Sequence, residues 1–280
     1  MLHSWMIPSD LAPGDAKSLA REWDDIEMHR VESGEDPYFD MAFGALWAQF
    51  GEVGEIEEAA VLSRRLCWHG REMINGYALL YRLLVFTSHR DFAAVRDHTV
   101  MIHPDRPGAI VHLSHNLVAQ AWRRTGLAGW LRTIPVNTAR EGLILQDRPV
   151  DSPITLVAEM EPPDPTDPQR VTRLTAYERA GYRMVDPARC SYLQPDFRPA
   201  REIDAGGGLQ PVPMVLMVRR MGREGDHTIS GGELREMVEA LYAMFAATFR
   251  AEDMAPLFRL LEGYPAAEDH INLLSPTSVA

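Results

Sequence analysis

Residues 117–131 read LVAQAWRRTGLAGWL. Within them Arg123, Gly126 and Ala128 keep a definite spacing: arginine or glutamine, two residues, glycine, one residue, then glycine or alanine. The stretch follows a strand candidate, AIVHLSHNLV (109–118), and opens a helical one, GLAGWLRTIPVNTAR (126–140). A strand that enters a helix through a glycine turn leaves several backbone N–H groups without helical partners, and the helix dipole makes that end positive. Glycine at 126 and small residues at 128 and 129 would let a pyrophosphate approach the main chain, and Arg123 and Arg124 would add charge. The plain alternative is a glycine turn that merely starts a helix. Pro135 is expected to end that helix early or to kink it.

Working outward, ITLVAEM (154–160) is a short apolar strand between prolines, and residues 170–180 form a helix stopped at Gly181. VPMVLMVRR (212–220) is a further strand, and Gly206 to Gly208 before it read as a flexible hairpin loop. Upstream, GYALLYRLLVF and FAAVRDHTVMI flank the polar TSHRD as an antiparallel hairpin. The first 70 residues read as helical, from Leu19, Trp23 and Ile26, then Phe39, Phe43, Trp47 and Phe50, then EIEEAAVLSRRL. At the other end Ser230 and Glu233 form a capping box before Leu234, Val238, Leu241, Phe245 and Phe249. A last helix holds Met254, Leu257, Phe258 and Leu261. This order predicts an α/β fold with a mixed sheet and a parallel, right-handed crossover in its middle.

The turn at 123–129, the strand at 154–160 and the helix LTAYERAGYRMVD together resemble the GNAT superfamily of N-acyltransferases. Val118, Arg123, Gly126, Ala128, Tyr177, Glu178, Gly181 and Tyr182 stand at the positions that carry the resemblance. It covers a core of about residues 76–220, with residues 1–75 as N-terminal helices and 230–265 as a C-terminal helical addition. It implies a GNAT-like central, twisted, mixed β-sheet flanked by helices, in one domain over 1–280. It also implies acetyl-CoA, or another acyl-CoA, as cofactor. The pyrophosphate would rest on the amides of Arg124, Thr125, Gly126, Leu127, Ala128 and Gly129, and the pantetheine arm would pair with Leu117 and Val118. The family's usual general acid corresponds to Tyr177; a phenol, with an ordinary pKa near 10, suits a thiolate leaving group of similar basicity. Two departures stand out. Tyr182 replaces the usual phenylalanine, and MEPPDPTDPQ lacks an asparagine that many relatives use on the coenzyme.

Two residues compete as general base. His112 lies on the strand leading to the turn, eleven residues before Arg123, and its imidazole can take a proton from an ammonium. Strand alternation would place Ser114 and Asn116 on its face and a structural His115 on the other. Glu159, near the end of the next strand, is the rival. Either can equally be a structural residue. Glu52, Glu55, Glu57 and Glu58 read as a solvated helix face, or as acids that attract a cationic amine. His112 and His115 without a third ligand make no metal site.

The chain has 280 residues and a formal charge of -12, which excludes a general nucleic-acid binder. Two cysteines build no disulfide framework, no apolar run reaches membrane-spanning length, and the N-terminus lacks an export signal, so a cytoplasmic protein without membrane association is expected. The expected activity is acetyl transfer from acetyl-CoA to a primary amine, small-molecule or peptide, by direct attack in a ternary complex. The competing reading is a catalytically inactive GNAT-like module that binds acyl-CoA or a protein partner. A homodimer is compatible with either.

Overall fold

The computed structural model describes residues 7–19 and 21–278, without the side chain of Leu19; the start of the N-terminal stretch, 1–6, lies outside the described residues. The first departure from expectation is here. Where Leu19, Trp23 and Ile26 predicted a helix, the chain makes short turns of 3-10 helix and then a strand, β1 (Glu27–Val31). Trp23 and Ile26 are buried all the same, and the Trp23 indole donates to the Ser18 carbonyl at 2.9 Å. Apolar spacing over so short a run marks a buried side without fixing the backbone that carries it. The helices α1 (Phe39–Phe50) and α2 (Ala59–Arg65) follow as expected. Asn75 and Gly76, both at positive φ (49° and 85°), turn β2 (His69–Ile74) into β3 (Tyr77–Ser88), and β3 pairs antiparallel with β4 (Asp91–Ile102). The hairpin is as predicted; β2 carries no clear alternation and was not.

The predicted strand at 109–118 is two strands, β5 (Ala109–His112) and β6 (Asn116–Val118), both antiparallel to β4. Thr99 pairs with His112 and Arg96 with Asn116. Residues 97–98 therefore face residues 113–115, two against three, which is a β-bulge. The extra residue reverses the alternation. His112 shares the face of Thr99, whereas Asn116 shares the opposite face with Arg96, so His112 and Asn116 are not on one side as simple alternation predicts.

Next come α3 (Leu127–Leu145), β7 (Ile154–Met160), α4 (Pro168–Arg179), β8 (Arg183–Val185), β9 (Tyr192–Gln194), α5 (Ala200–Ala205), β10 (Val212–Arg220), β11 (Thr228–Ser230), α6 (Gly231–Phe245), α7 (Ala251–Leu260) and β12 (His270–Leu274). Helix α3 continues through Pro135, which forfeits one backbone bond but lies buried against the sheet with its neighbours, and that packing outweighs the loss. Gly206 to Gly208 form the exit from α5, within the connection that joins the antiparallel strands β9 and β10. The sheet runs β1-β3-β4-β5-β7-β10-β8-β12-β11, and β5 and β7 are its parallel neighbours, joined by α3. This mixed sheet with flanking helices is the architecture the resemblance implied. The C-terminal segment is more than an addition: α6 and α7 build the core on one face of the sheet with α1 and α2, and β12 pairs with β8. The N-terminal turns, α3 and α4 cover the opposite face.

Candidate active site

The bulge opens the sheet. Leu113 N–H still donates to the Val157 carbonyl at 2.8 Å, but beyond it β6 stays with β4 while β7 stays with β10. Ser114 to Val118 and Ala158 to Met160 diverge around a cavity of about 1010 Å³, into which the N-termini of α3 and α4 also point residues. The unpaired edge of β6, with Leu117 and Val118, forms part of the wall.

His112 and Glu159, rivals in the sequence, are partners. His112 Nε2 lies 2.8 Å from Glu159 Oε2, and Tyr192 donates its hydroxyl to Glu159 Oε1 at 2.5 Å. Both are nearly fully buried, with side chains 4% and 5% exposed. Burial alone would raise the Glu159 pKa, yet the hydrogen bonds from His112, Tyr192 and Gln194 outweigh it and hold the carboxyl below its ordinary range. An ionised carboxylate only accepts, so Nε2 donates to it. His112 Nδ1 faces Ser114 Oγ at 3.2 Å. The His112 ring also packs edge-on against Phe245 of α6, which locks its orientation. The sequence missed Tyr192 because β9 is three residues long in a stretch that reads as a loop.

His115 also lines the cleft, and is bound on both nitrogens. Its backbone N–H and Nδ1 both reach Asp97 Oδ1, at 2.7 and 3.0 Å, and Nε2 reaches the Glu55 carbonyl at 3.0 Å. Tyr81 donates to Asp97 Oδ2 at 3.0 Å. Burial disfavours the imidazolium, but the Asp97 charge and hydrogen bonds prevail and push the His115 pKa up to about 9. The same pair holds Asp97 well below the usual carboxylate range, against its own burial. The structural role expected for His115 holds, although it sits in the cleft wall.

The glycine turn is built as predicted in outline. Gly126 takes φ +103° and caps α3, and Arg124 takes φ +66°. Thr125, Leu127 and Gly129 use their amides within the turn, whereas those of Arg124, Gly126 and Ala128 have no partner among the described residues. Of the residues assigned to the coenzyme, Leu117, Val118, Arg123 and Ala128 line the cavity. Leu127 is buried in the core instead. Gly126 and Gly129 are small for a reason the sequence did not show: a Cβ at either would meet Ser18, whose Oγ donates to the Gly126 carbonyl at 2.5 Å. The N-terminal segment thus braces the turn from behind. Tyr177 of α4 lines the same cavity and packs edge-on against Tyr182 with ring centroids 4.9 Å apart.

The four acids at 52–58 precede α2 and do not form a solvated helix face. Glu57 is buried against Arg65, Glu58 meets Arg201 at 3.0 Å, and Glu55 and Glu57 line the cleft. Burial and the nearby Glu161 raise the Glu55 pKa. Among the described residues no group of histidines, cysteines and acids could hold a metal ion, and no helix is long and apolar enough to cross a membrane.

No protein-family model matches the chain, and no curated protein does. Solved structures do. A GNAT family acetyltransferase from Elizabethkingia anophelis, determined with acetyl-CoA bound, is 13% identical with a TM-score of 0.37; the match covers 70% of this chain and 97% of that one. The ribosomal-protein-S18-alanine N-acetyltransferase from Escherichia coli is 11% identical with a TM-score of 0.38, over 70% and 93%. An acetyltransferase of the GNAT family from Streptococcus pneumoniae is also 11% identical with a TM-score of 0.38, over 70% and 98%. These are likenesses of fold; what the cleft can do follows from the chain's own geometry.

Proposed function

We propose that the chain is an acyl-CoA-dependent N-acyltransferase that moves an acyl group, acetyl in the simplest case, to a primary amine by direct attack. The observation that carries this reading is the opening between β6 and β7, with a histidine–carboxylate pair on its wall and an unsatisfied helix N-terminus at its end. The amides of Arg124, Gly126 and Ala128 and the Arg123 side chain would hold the pyrophosphate. The edge of β6 at Leu117 and Val118, which no strand among the described residues pairs and where Arg123 Nε donates to the Val118 carbonyl at 3.3 Å, would pair with the pantetheine arm. When bound, acyl-CoA supplies the activated carbonyl. His112 takes the ammonium proton on Nδ1, and Glu159, already ionised, balances the imidazolium that results. Tyr177, on the cavity wall, would protonate the departing thiolate. A cationic acceptor would relieve the crowding of Glu55 and Glu161 at the mouth, so high salt should raise its KM.

The test is thermal. Acetyl-CoA at a hundredfold excess over Kd should stabilise the fold by about 2.7 kcal/mol, a rise of several degrees. Ala128→Glu is the control, because it places a negative charge where the pyrophosphate would lie while suiting the helix dipole. A rise that this variant abolishes supports the coenzyme site; no rise at millimolar ligand sinks it. With a coenzyme site in hand, an amine screen should find an acceptor, on which Tyr177→Phe should lower kcat about tenfold or more with little change in coenzyme binding. Coenzyme binding without turnover of any amine would favour the inactive module.

A further inference from the structure

Ser114, His112 and Glu159 form a chain of hydrogen bonds that proton transfer from a bound ammonium does not require. Ser114 Oγ lies 3.2 Å from His112 Nδ1, and His112 Nε2 lies 2.8 Å from Glu159 Oε2. When the imidazole is neutral and its Nε2 proton faces Glu159, Nδ1 is the acceptor and the serine hydroxyl the donor. A hydroxyl that donates to a neutral imidazole, itself oriented by a buried carboxylate, is the arrangement that activates a serine nucleophile. The two ring nitrogens exchange their usual roles, which leaves the chemistry unchanged. The surroundings fit. His112 is 3% exposed, whereas Ser114 stands half-buried in the cleft wall, on the bulge. The Ser114 amide has no partner among the described residues, so a donor is present beside the hydroxyl.

We propose that Ser114 is a nucleophile that takes an acyl group onto Oγ and yields it to water, giving the chain an acyl-ester and thioester hydrolase activity when no amine is bound. Only the identity of its acyl donor as acyl-CoA rests on the transferase reading. In the first half, Ser114 Oγ attacks the thioester carbonyl. The C–O bond forms, its proton passes to His112 Nδ1, and the C–S bond breaks as that proton moves to the departing sulfur, releasing a thiol. In the second half, water attacks the acyl-serine carbon and gives a proton to His112 Nδ1. The proton returns to Ser114 Oγ as the ester bond breaks and the carboxylic acid leaves. The sum is thioester plus water to thiol plus acid, with no redox change.

The experiment follows amine-free hydrolysis of acetyl-CoA, by thiol release, and of p-nitrophenyl acetate, which needs no coenzyme site. The expected result is hydrolysis of at least one ester that Ser114→Ala lowers tenfold or more and Ser114→Thr partly restores, at matched thermal midpoints. In the Ser114→Cys chain, acid quenching and peptide mass spectrometry should find one acetyl group at position 114. Three results overturn the proposal: neither ester hydrolysed by the wild-type chain, hydrolysis unchanged by Ser114→Ala, or no acetyl group at 114 in either the wild-type or the Ser114→Cys chain. Failure of the transferase reading looks different. Ser114-dependent hydrolysis of p-nitrophenyl acetate with acetyl-CoA untouched would sink the coenzyme site and leave the triad. Amine-dependent transfer that never labels position 114 would do the reverse.

Discussion

Two histidines three residues apart each stand beside a carboxylate that also binds a tyrosine, yet they are built for opposite purposes. Tyr81, Asp97 and His115 form one chain, and Tyr192, Glu159 and His112 the other. His115 spends both nitrogens on acceptors, Asp97 and the Glu55 carbonyl, and so is fixed as a cation. His112 spends one nitrogen on Glu159 and turns the other toward a hydroxyl in the cleft. A carboxylate partner therefore does not by itself make a base. What matters is whether the second nitrogen is left for a proton to come and go.

The largest effect should come from His112. Replacing it with glutamine keeps a polar, partly bonded side chain but no group that can take up a proton near neutral pH. We expect kcat/KM for amine transfer to fall 10²- to 10⁴-fold, the range for a lost general base. His115→Gln should leave kcat within a few-fold and act on stability and on KM, through the 50–57 segment that the His115 Nε2 proton holds. A loss of kcat at His115 as large as that at His112 would break the comparison.

The second effect is a pH dependence of stability. The folded-state pKa of His115, about 9, is above the unfolded value near 6.5. Its contribution is therefore fully present below pH 6.5 and is lost as pH rises through about 9. The size is on the order of 3 kcal/mol, counted once for the His115–Asp97 pair. Urea midpoints of the wild-type chain and His115→Gln should converge between pH 6.5 and 9.5. A constant difference across that window would show that His115 is not held as a cation.

The contrast between the two histidines also marks what the sequence could reveal. The glycine turn and the start of the helix after it, the hairpin at 77–102 and the capping of α6 were legible, because turn residues and alternation act locally. His112 and Glu159 were found, but as rivals. Their partnership depends on the parallel register of β5 with β7, which puts His112 beside Val157, two residues from Glu159, and no local pattern encodes that. The bulge was invisible for a related reason. It is specified by Asp97 capturing the His115 amide from across the sheet, a contact eighteen residues long. The same holds for Gly129, whose smallness answers Ser18 of the N-terminal turn as much as any ligand. Sequence showed which residues were chemically able; long-range pairing decided which were assembled.

The smallest expected effect is also the cleanest discriminator, because it alters one oxygen at matched places in the two chains. Tyr81→Phe and Tyr192→Phe each remove a hydroxyl that donates to a buried carboxylate, leaving ring packing in place. Each hydrogen bond to a charged group is worth about 1.5–3 kcal/mol, so both variants should lose stability by similar amounts. Their catalytic consequences should differ. Asp97 keeps both the backbone and the ring donors of His115, so Tyr81→Phe should leave the transfer rate within about twofold. Glu159 loses one of the three donors that hold its pKa down, which leaves more of its charge to stabilise the His112 imidazolium and moves the pH–rate profile. With the imidazolium better stabilised, the acidic limb should shift to higher pH in Tyr192→Phe alone. The same shift in Tyr81→Phe would mean that the His115 chain also takes part in the chemistry, and the division of labour between the two histidines would fall.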